Sequence, residues 1–158
     1  MNASTATRRP AAKKDESSEI GIAAFWRFSF NRELLKDSER LQQIKAGFPA
    51  SLVQALRQTF DLQERNVETL LNASISTLER RRREQKNLDS VASERIDRIA
   101  TVSHLAEEVF EDKANAAQWM SMPNKALGGI APIMLCETEI GARQVRRVLH
   151  ALEWGGAA

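Results

Sequence analysis

The sequence predicts an all-α protein, with a helix-turn-helix domain in its N-terminal half and a second helical domain after it. Three observations predict this. Large apolar residues recur three and four positions apart along most of the chain. Residues that open and close helices stand at the ends of these runs. No stretch alternates convincingly in the manner of a half-buried strand, although the period of "IGIAAFWRFSF" (20–30) fits a short strand as well as a helical turn.

Taken in order, residues 1–19 are rich in Ser, Thr, Ala and charge and poor in large apolar groups, and are expected to form a disordered basic arm. The aromatic segment 20–30 is expected to pack against the domain that follows. In "FPASLVQALRQTF", Pro49 stands near a helix start, and Leu52, Val53, Leu56 and Phe60 share one face. "DLQE", Asp61 to Glu64, has the form of a capping box opening a second helix, continued by Val67, Leu70 and Leu71. Asn72 suits the left-handed conformation that ends helices, and Ser74 caps a third helix with Ile75 and Leu78 inward.

A long helix is predicted from near Ser90 or Ser93 to Phe110, with Ile96, Ile99, Val102, Ala106, Val109 and Phe110 as its apolar stripe. Asp112 caps a shorter helix through Trp119 and Met120, stopped by Pro123. "PNKALGGIAP" reads as a turn-rich loop. Thr138 opens a final helix with Val145, Val148, Leu149 and Leu152 on one face, ended by Gly155 and Gly156. The expected division is an arm (1–19), a helix-turn-helix domain (20–88) and a second domain (89–158) with a flexible end.

Composition narrows the function classes. With 158 residues the chain suits one ordinary domain or two small ones, and 42% apolar residues are enough for a core. Aromatics are only 6%, without tyrosine, so Leu, Ile, Val, Ala and Met must fill that core. The net charge of +2 does not itself imply nucleic-acid binding, so placement of charge has to carry that case. A single cysteine, Cys136, excludes an internal disulfide and a thiolate zinc cluster, and fits a reducing cytoplasm. No apolar run approaches the roughly 20 residues that span a bilayer, and the first residues lack the apolar stretch of a signal peptide. A cytoplasmic protein without membrane partner is expected.

The placement is informative at "LLNASISTLERRRREQ" (70–85), where four arginines follow a serine-rich helix start. Helix, sharp turn and capped helix make the helix-turn-helix pattern. A wheel at about 100° per residue points Ser76, Thr77 and Arg80 outward and sets Arg81 and Arg83 on the flanks. It draws the stem of Arg82 along the core edge. Such a face suits a major groove, where Arg80 is expected to fork onto guanine O6 and N7 and Ser76 to reach a base or phosphate. Arg81, Arg83 and Lys86 are expected to meet phosphates, and Glu79 to close a capping box with Ser76. The bland alternative is a solvated helix end, since cations are favourable at any helix C-terminus.

The second half carries a more specific pattern: a tryptophan-containing helix, a Pro-Asn loop, a Leu-Gly-Gly turn, a proline, a Thr-Glu-x-Gly helix start and an aromatic-glycine pair. Here these are Trp119, Pro123, Asn124, Leu127, Gly128, Gly129, Pro132, Thr138, Glu139, Gly141, Trp154 and Gly155. With "ISTLERRR" before it, the chain from about Gly47 to Gly155 resembles the Xre/MbcA/ParS antitoxins. Asn72 stands where glycine is usual, and Trp154 replaces a frequent tyrosine. The resemblance implies a dimeric type II antitoxin that binds operator DNA of its own operon through the N-terminal part. The C-terminal part would block the active site of a RES-domain toxin, an enzyme that degrades NAD. It places toxin contacts on Leu127, Gly128, Gly129, Trp154, Gly155, Gly156, Ala157 and Ala158. The helix-turn-helix alone equally suits a stand-alone dimeric transcriptional regulator.

No cofactor, metal or catalytic group is expected. His104 and His150 lie on separate helices without a nucleophile nearby. "ALGGIAP" lacks the following Lys-Ser/Thr of a phosphate loop. Glu107, Glu108, Glu111 and Asp112 lack calcium-loop spacing. Cys136 reads as a small buried hydrophobe, and Trp119 as a core anchor.

Overall fold

The computed structural model describes residues 9–155, and within them every regular element is helical. The order is α1 (Arg9–Leu34), α2 (Asp37–Ala46), α3 (Ser51–Phe60), α4 (Glu64–Leu71), α5 (Ile75–Arg83), α6 (Ser90–Phe110), α7 (Lys113–Ser121), a 3-10 turn (Lys125–Leu127), α8 (Pro132–Leu135) and α9 (Glu139–Glu153). The only β-type pairings among these residues are the isolated bridges Pro49–Asn87 and Asn124–Ile130.

The N-terminus corrects one expectation and settles an open alternative. Helix α1 runs back to Arg9, so residues 9–19 are helical instead of a disordered arm; residues 1–8 lie outside the described residues. Ala11, Ala12, Lys13, Lys14, Glu16 and Glu19 are good helix formers, and they extend a helix that is already nucleated by packing further along. The segment 20–30 is helical, not extended, and buries Phe25 and Trp26. Phe25 meets Phe60 of α3 edge-on at 5.2 Å, and Ser29 donates to the Ala100 carbonyl of α6 at 2.7 Å. This segment therefore belongs to the core, as expected.

Helix α2 had no apolar stripe to announce it, and none of its residues is buried. Half-buried Ile44, packed against the core, and polar contacts to α6 hold it. Arg40 bonds Asp97 Oδ2 at 2.5 Å, and the buried Arg32 of α1 stands 3.5 Å from Asp97 Oδ1 while also donating to Gln43. One buried carboxylate thus ties α1 and α2 to α6. The Asp97 hydrogen bond pushes Arg40 above the ordinary guanidinium value, whereas burial pushes Arg32 below it.

Helix α6 opens on Asp89, whose side chain accepts from Ala92 N at 2.8 Å, and packs against α1, α2, α4, α7 and α9. The two halves of the chain consequently share one apolar core, with α6 as common spine. At the α2–α3 junction the backbone passes so close that a side chain at Gly47 (φ +87°) would strike the Leu88 carbonyl.

Candidate functional site

Helices α4 and α5 form the helix-turn-helix unit. Asn72 takes the left-handed conformation (φ 51°), and Ser74 Oγ accepts from Thr77 N at 3.2 Å, both as the sequence indicates. Val67, Leu70, Leu71 and Leu78 are buried beneath them. Asp61–Glu64 is not a capping box: Asp61 closes α3 in the left-handed conformation (φ 50°), and Gln63 precedes α4 without a side-chain cap. A short carboxylate tolerates that conformation, which overrode the spacing.

Helix α5 is positioned by buried Leu78 and half-buried Ile75 and by hydrogen bonds at its ends. Glu68 of α4 accepts from Ile75 N at 3.0 Å, satisfying a donor that the first turn leaves free. Arg95 of α6 donates to the Thr69 and Leu70 carbonyls at 3.2 and 3.1 Å, fixing the end of α4. Past α5, Arg81 donates to the Asn87 carbonyl at 2.7 Å.

That last contact reorders the arginines. Arg81, expected to meet phosphate, commits its Nη1 to the chain's own backbone, while the exposed head of Arg82 pairs with Glu79 at 2.8 Å and its side chain lines a small groove with Pro49 and buried Ala50. Glu79 is therefore occupied by Arg82, and the cap of α5 is Ser74, so the Ser76–Glu79 capping box does not form. Lys86 holds Glu84 at 3.0 Å and keeps that carboxyl below its ordinary value, an exposed pair of small strength. Ser76, Arg80 and Arg83 are exposed and Thr77 half-exposed; among the described residues neither Arg80 nor Arg83 has an ion-pair partner. The outward face is Ser76, Thr77, Arg80 and Arg83.

The C-terminal half is built around α7, α8 and α9. Asp112 accepts from Asn115 N at 3.0 Å and Thr138 from Gly141 N at 3.0 Å, opening α7 and α9 as predicted. Gly141 has a second reason: a Cβ there would collide with the Leu135 carbonyl, so only glycine lets α8 run into α9. Ala142, Val145 and Leu149 are buried, with Val148 packed against them. Arg98 of α6 braces this corner through the Cys136 carbonyl at 3.0 Å.

The loop after α7 is fastened through Asn124, whose side chain accepts from Ala126 N at 2.9 Å and whose carbonyl accepts from Gly129 N at 2.8 Å. Leu127, expected at the contact surface, is only 8% exposed and anchors the loop from inside, out of a partner's reach. Gly128 and Gly129 are exposed, with positive φ and open space around them. Trp154 closes α9 and is 86% exposed, followed by exposed Gly155; Gly156, Ala157 and Ala158 lie outside the described residues.

Burial pushes the Cys136 thiol up to about 12, which leaves it an inert apolar side chain. His104 is nearly buried and stands 3.1 Å from Glu108, and His150 is 3.3 Å from Glu153. Trp119 is half-buried and tilted on Phe110 at 5.7 Å, less enclosed than a core anchor. Among the described residues no cluster of His, Cys, Asp and Glu is arranged to hold a metal, and no helix is long and apolar enough to cross a membrane.

A helix-turn-helix unit whose second helix turns an exposed polar face outward is the architecture of a DNA-binding protein, and here it shares its core with a C-terminal helical region. Residues 39–100 match the model of the antitoxin Xre-like helix-turn-helix domain, and residues 105–155 that of the antitoxin Xre/MbcA/ParS C-terminal toxin-binding domain. An antitoxin Xre of Yersinia enterocolitica is 32% identical over 116 residues, 73% of this chain and 78% of the relative. One of Pseudomonas putida is 30% identical over 127 residues, 78% and 76% of the two chains. A Prs ADP-ribosylating antitoxin of a Sphingobium species is 25% identical over 129 residues, 76% and 81%. The chain belongs to the Xre antitoxin family.

Proposed function

We propose that this antitoxin binds a RES-domain toxin, blocks the active site with which that enzyme degrades NAD, and represses its own operon as a cytoplasmic homodimer bound to operator DNA. The observation that carries the reading is the end of α9. A rigid helix, anchored by Val145 and Leu149, delivers the large aromatic Trp154 to solvent at the edge of the toxin-binding domain. A solvent-exposed tryptophan on a fixed support is the side chain most apt to enter a partner's pocket. Gly128 and Gly129 present backbone without side chains and would lie against the same partner, together with Gly155, Gly156, Ala157 and Ala158.

On the DNA side, Ser76, Thr77 and Arg80 would read bases, while Arg83 and Lys86 would meet phosphates. A dimer would place two such helices about one helical turn apart on the duplex. Co-expression with the neighbouring open reading frame tests the proposal, with growth and cellular NAD as readouts. Expression of the neighbour alone should deplete NAD and arrest growth, and the pair should grow normally. A neighbour that leaves NAD untouched would remove the RES assignment, and arrest despite co-expression would remove the antitoxin reading for this pair.

A further inference from the structure

We propose that the groove between the end of α6, α7 and the Asn124 turn receives a large apolar side chain from an uncharged stretch of the toxin, a contact additional to Trp154. This rests on the toxin-binding reading of residues 105–155 and specifies what that domain grips. An open groove of about 420 Å³ is lined by Phe110, Asn115, Gln118, Trp119, Met122, Pro123 and Asn124, all inside the matched toxin-binding region.

Its chemistry is selective. Phe110 and Trp119 form a tilted aromatic wall, and Met122, 53% exposed, supplies a deformable edge. The polar lining is three carboxamides, Asn115, Gln118 and Asn124, and no charged side chain. A carboxamide offers both donor and acceptor, so these groups suit the peptide backbone around an inserted aromatic or long aliphatic residue. A charged residue there would lose hydration without gaining a partner. The groove is also continuous with the loop bearing Gly128 and Gly129, because Asn124 both lines it and fastens that loop. A larger cleft of about 630 Å³ lies between α1, the end of α3 and α7, but Glu19, Asp61 and Lys113 line it and its α1 wall falls outside both matched regions.

The test measures the dissociation constant for the toxin encoded beside the antitoxin, using full-length chains. Met122→Asp and Gln118→Glu should each weaken binding at least tenfold, whereas Met122→Leu should bind as the unaltered protein does. Leu41→Asp, at an exposed apolar residue of α2 outside the toxin-binding region, should also bind normally. Thermal midpoints and operator affinity report folding; were Met122→Asp to unfold, the exposed Gln118→Glu decides. If both charged variants bind within twofold of the unaltered protein while Trp154→Ala binds weakly, the groove proposal is overturned and the toxin-binding reading stands. If the unaltered protein itself fails to bind, that reading falls and the proposal with it.

Discussion

Helices α5 and α9 are both amphipathic and both lead to a proposed contact surface, yet they are held by different physics. Helix α5 has nine residues and buries only Leu78; Ser74, Glu68 and Arg81 fix it through hydrogen bonds at its ends. Helix α9 has fifteen residues and buries a stripe of Gly141, Ala142, Val145 and Leu149. A reading helix needs its outer face free for base edges and its axis fixed, which directional bonds at its ends provide. A helix that delivers an aromatic side chain into a cleft needs a stiff base, which close packing provides.

That contrast is sharpened by substitutions on each side. The largest effect should come from Leu149→Ala, which opens a cavity under α9 and should cost about 2–5 kcal/mol in denaturant unfolding. Toxin protection should fall with it. Next, Arg80→Ala should weaken specific operator binding by about 1–3 kcal/mol and relax the sequence preference at one base pair, with stability unchanged. Unaltered operator affinity would mean that α5 does not dock in the groove as described. Ser74→Ala, removing the cap, should cost about 1 kcal/mol of stability and should lower operator affinity more than toxin affinity. Equal losses on both sides would dissolve the distinction between the two helices. The smallest effect belongs to Arg83→Ala, which should flatten the salt dependence of operator binding by about one unit of slope and weaken all sequences alike.

The sequence was legible wherever one local rule acted alone. Ser74, Asp112 and Thr138 cap the helices they were expected to cap, and Asn72 turns where a left-handed residue was needed. It was illegible where two local rules competed or where the partner lay far along the chain. Asp61 fits a capping box by spacing and a left-handed helix end by chemistry, and the second prevailed. Helix α2 has no fully buried residue; beside Ile44 its attachment uses Asp97, fifty-seven residues from Arg40, which no periodicity reveals. The wheel set Arg81 on a flank but could not show the Asn87 carbonyl, beyond the end of α5, that it bonds. Leu127 looked like part of a contact loop because it adjoins Gly128 and Gly129, yet as the loop's one large apolar side chain before them it turned inward. The exposed side chains were marked in different ways, Arg80 by helical periodicity and Trp154 by the family resemblance.

The most direct measurement of the two-surface account uses a chain ending at Glu153, which keeps α9 and removes Trp154 with everything after it. The account predicts unchanged operator affinity and loss of growth protection when this chain is co-expressed with the adjacent toxin. Full protection by the shortened chain, or loss of operator binding together with protection, would contradict it.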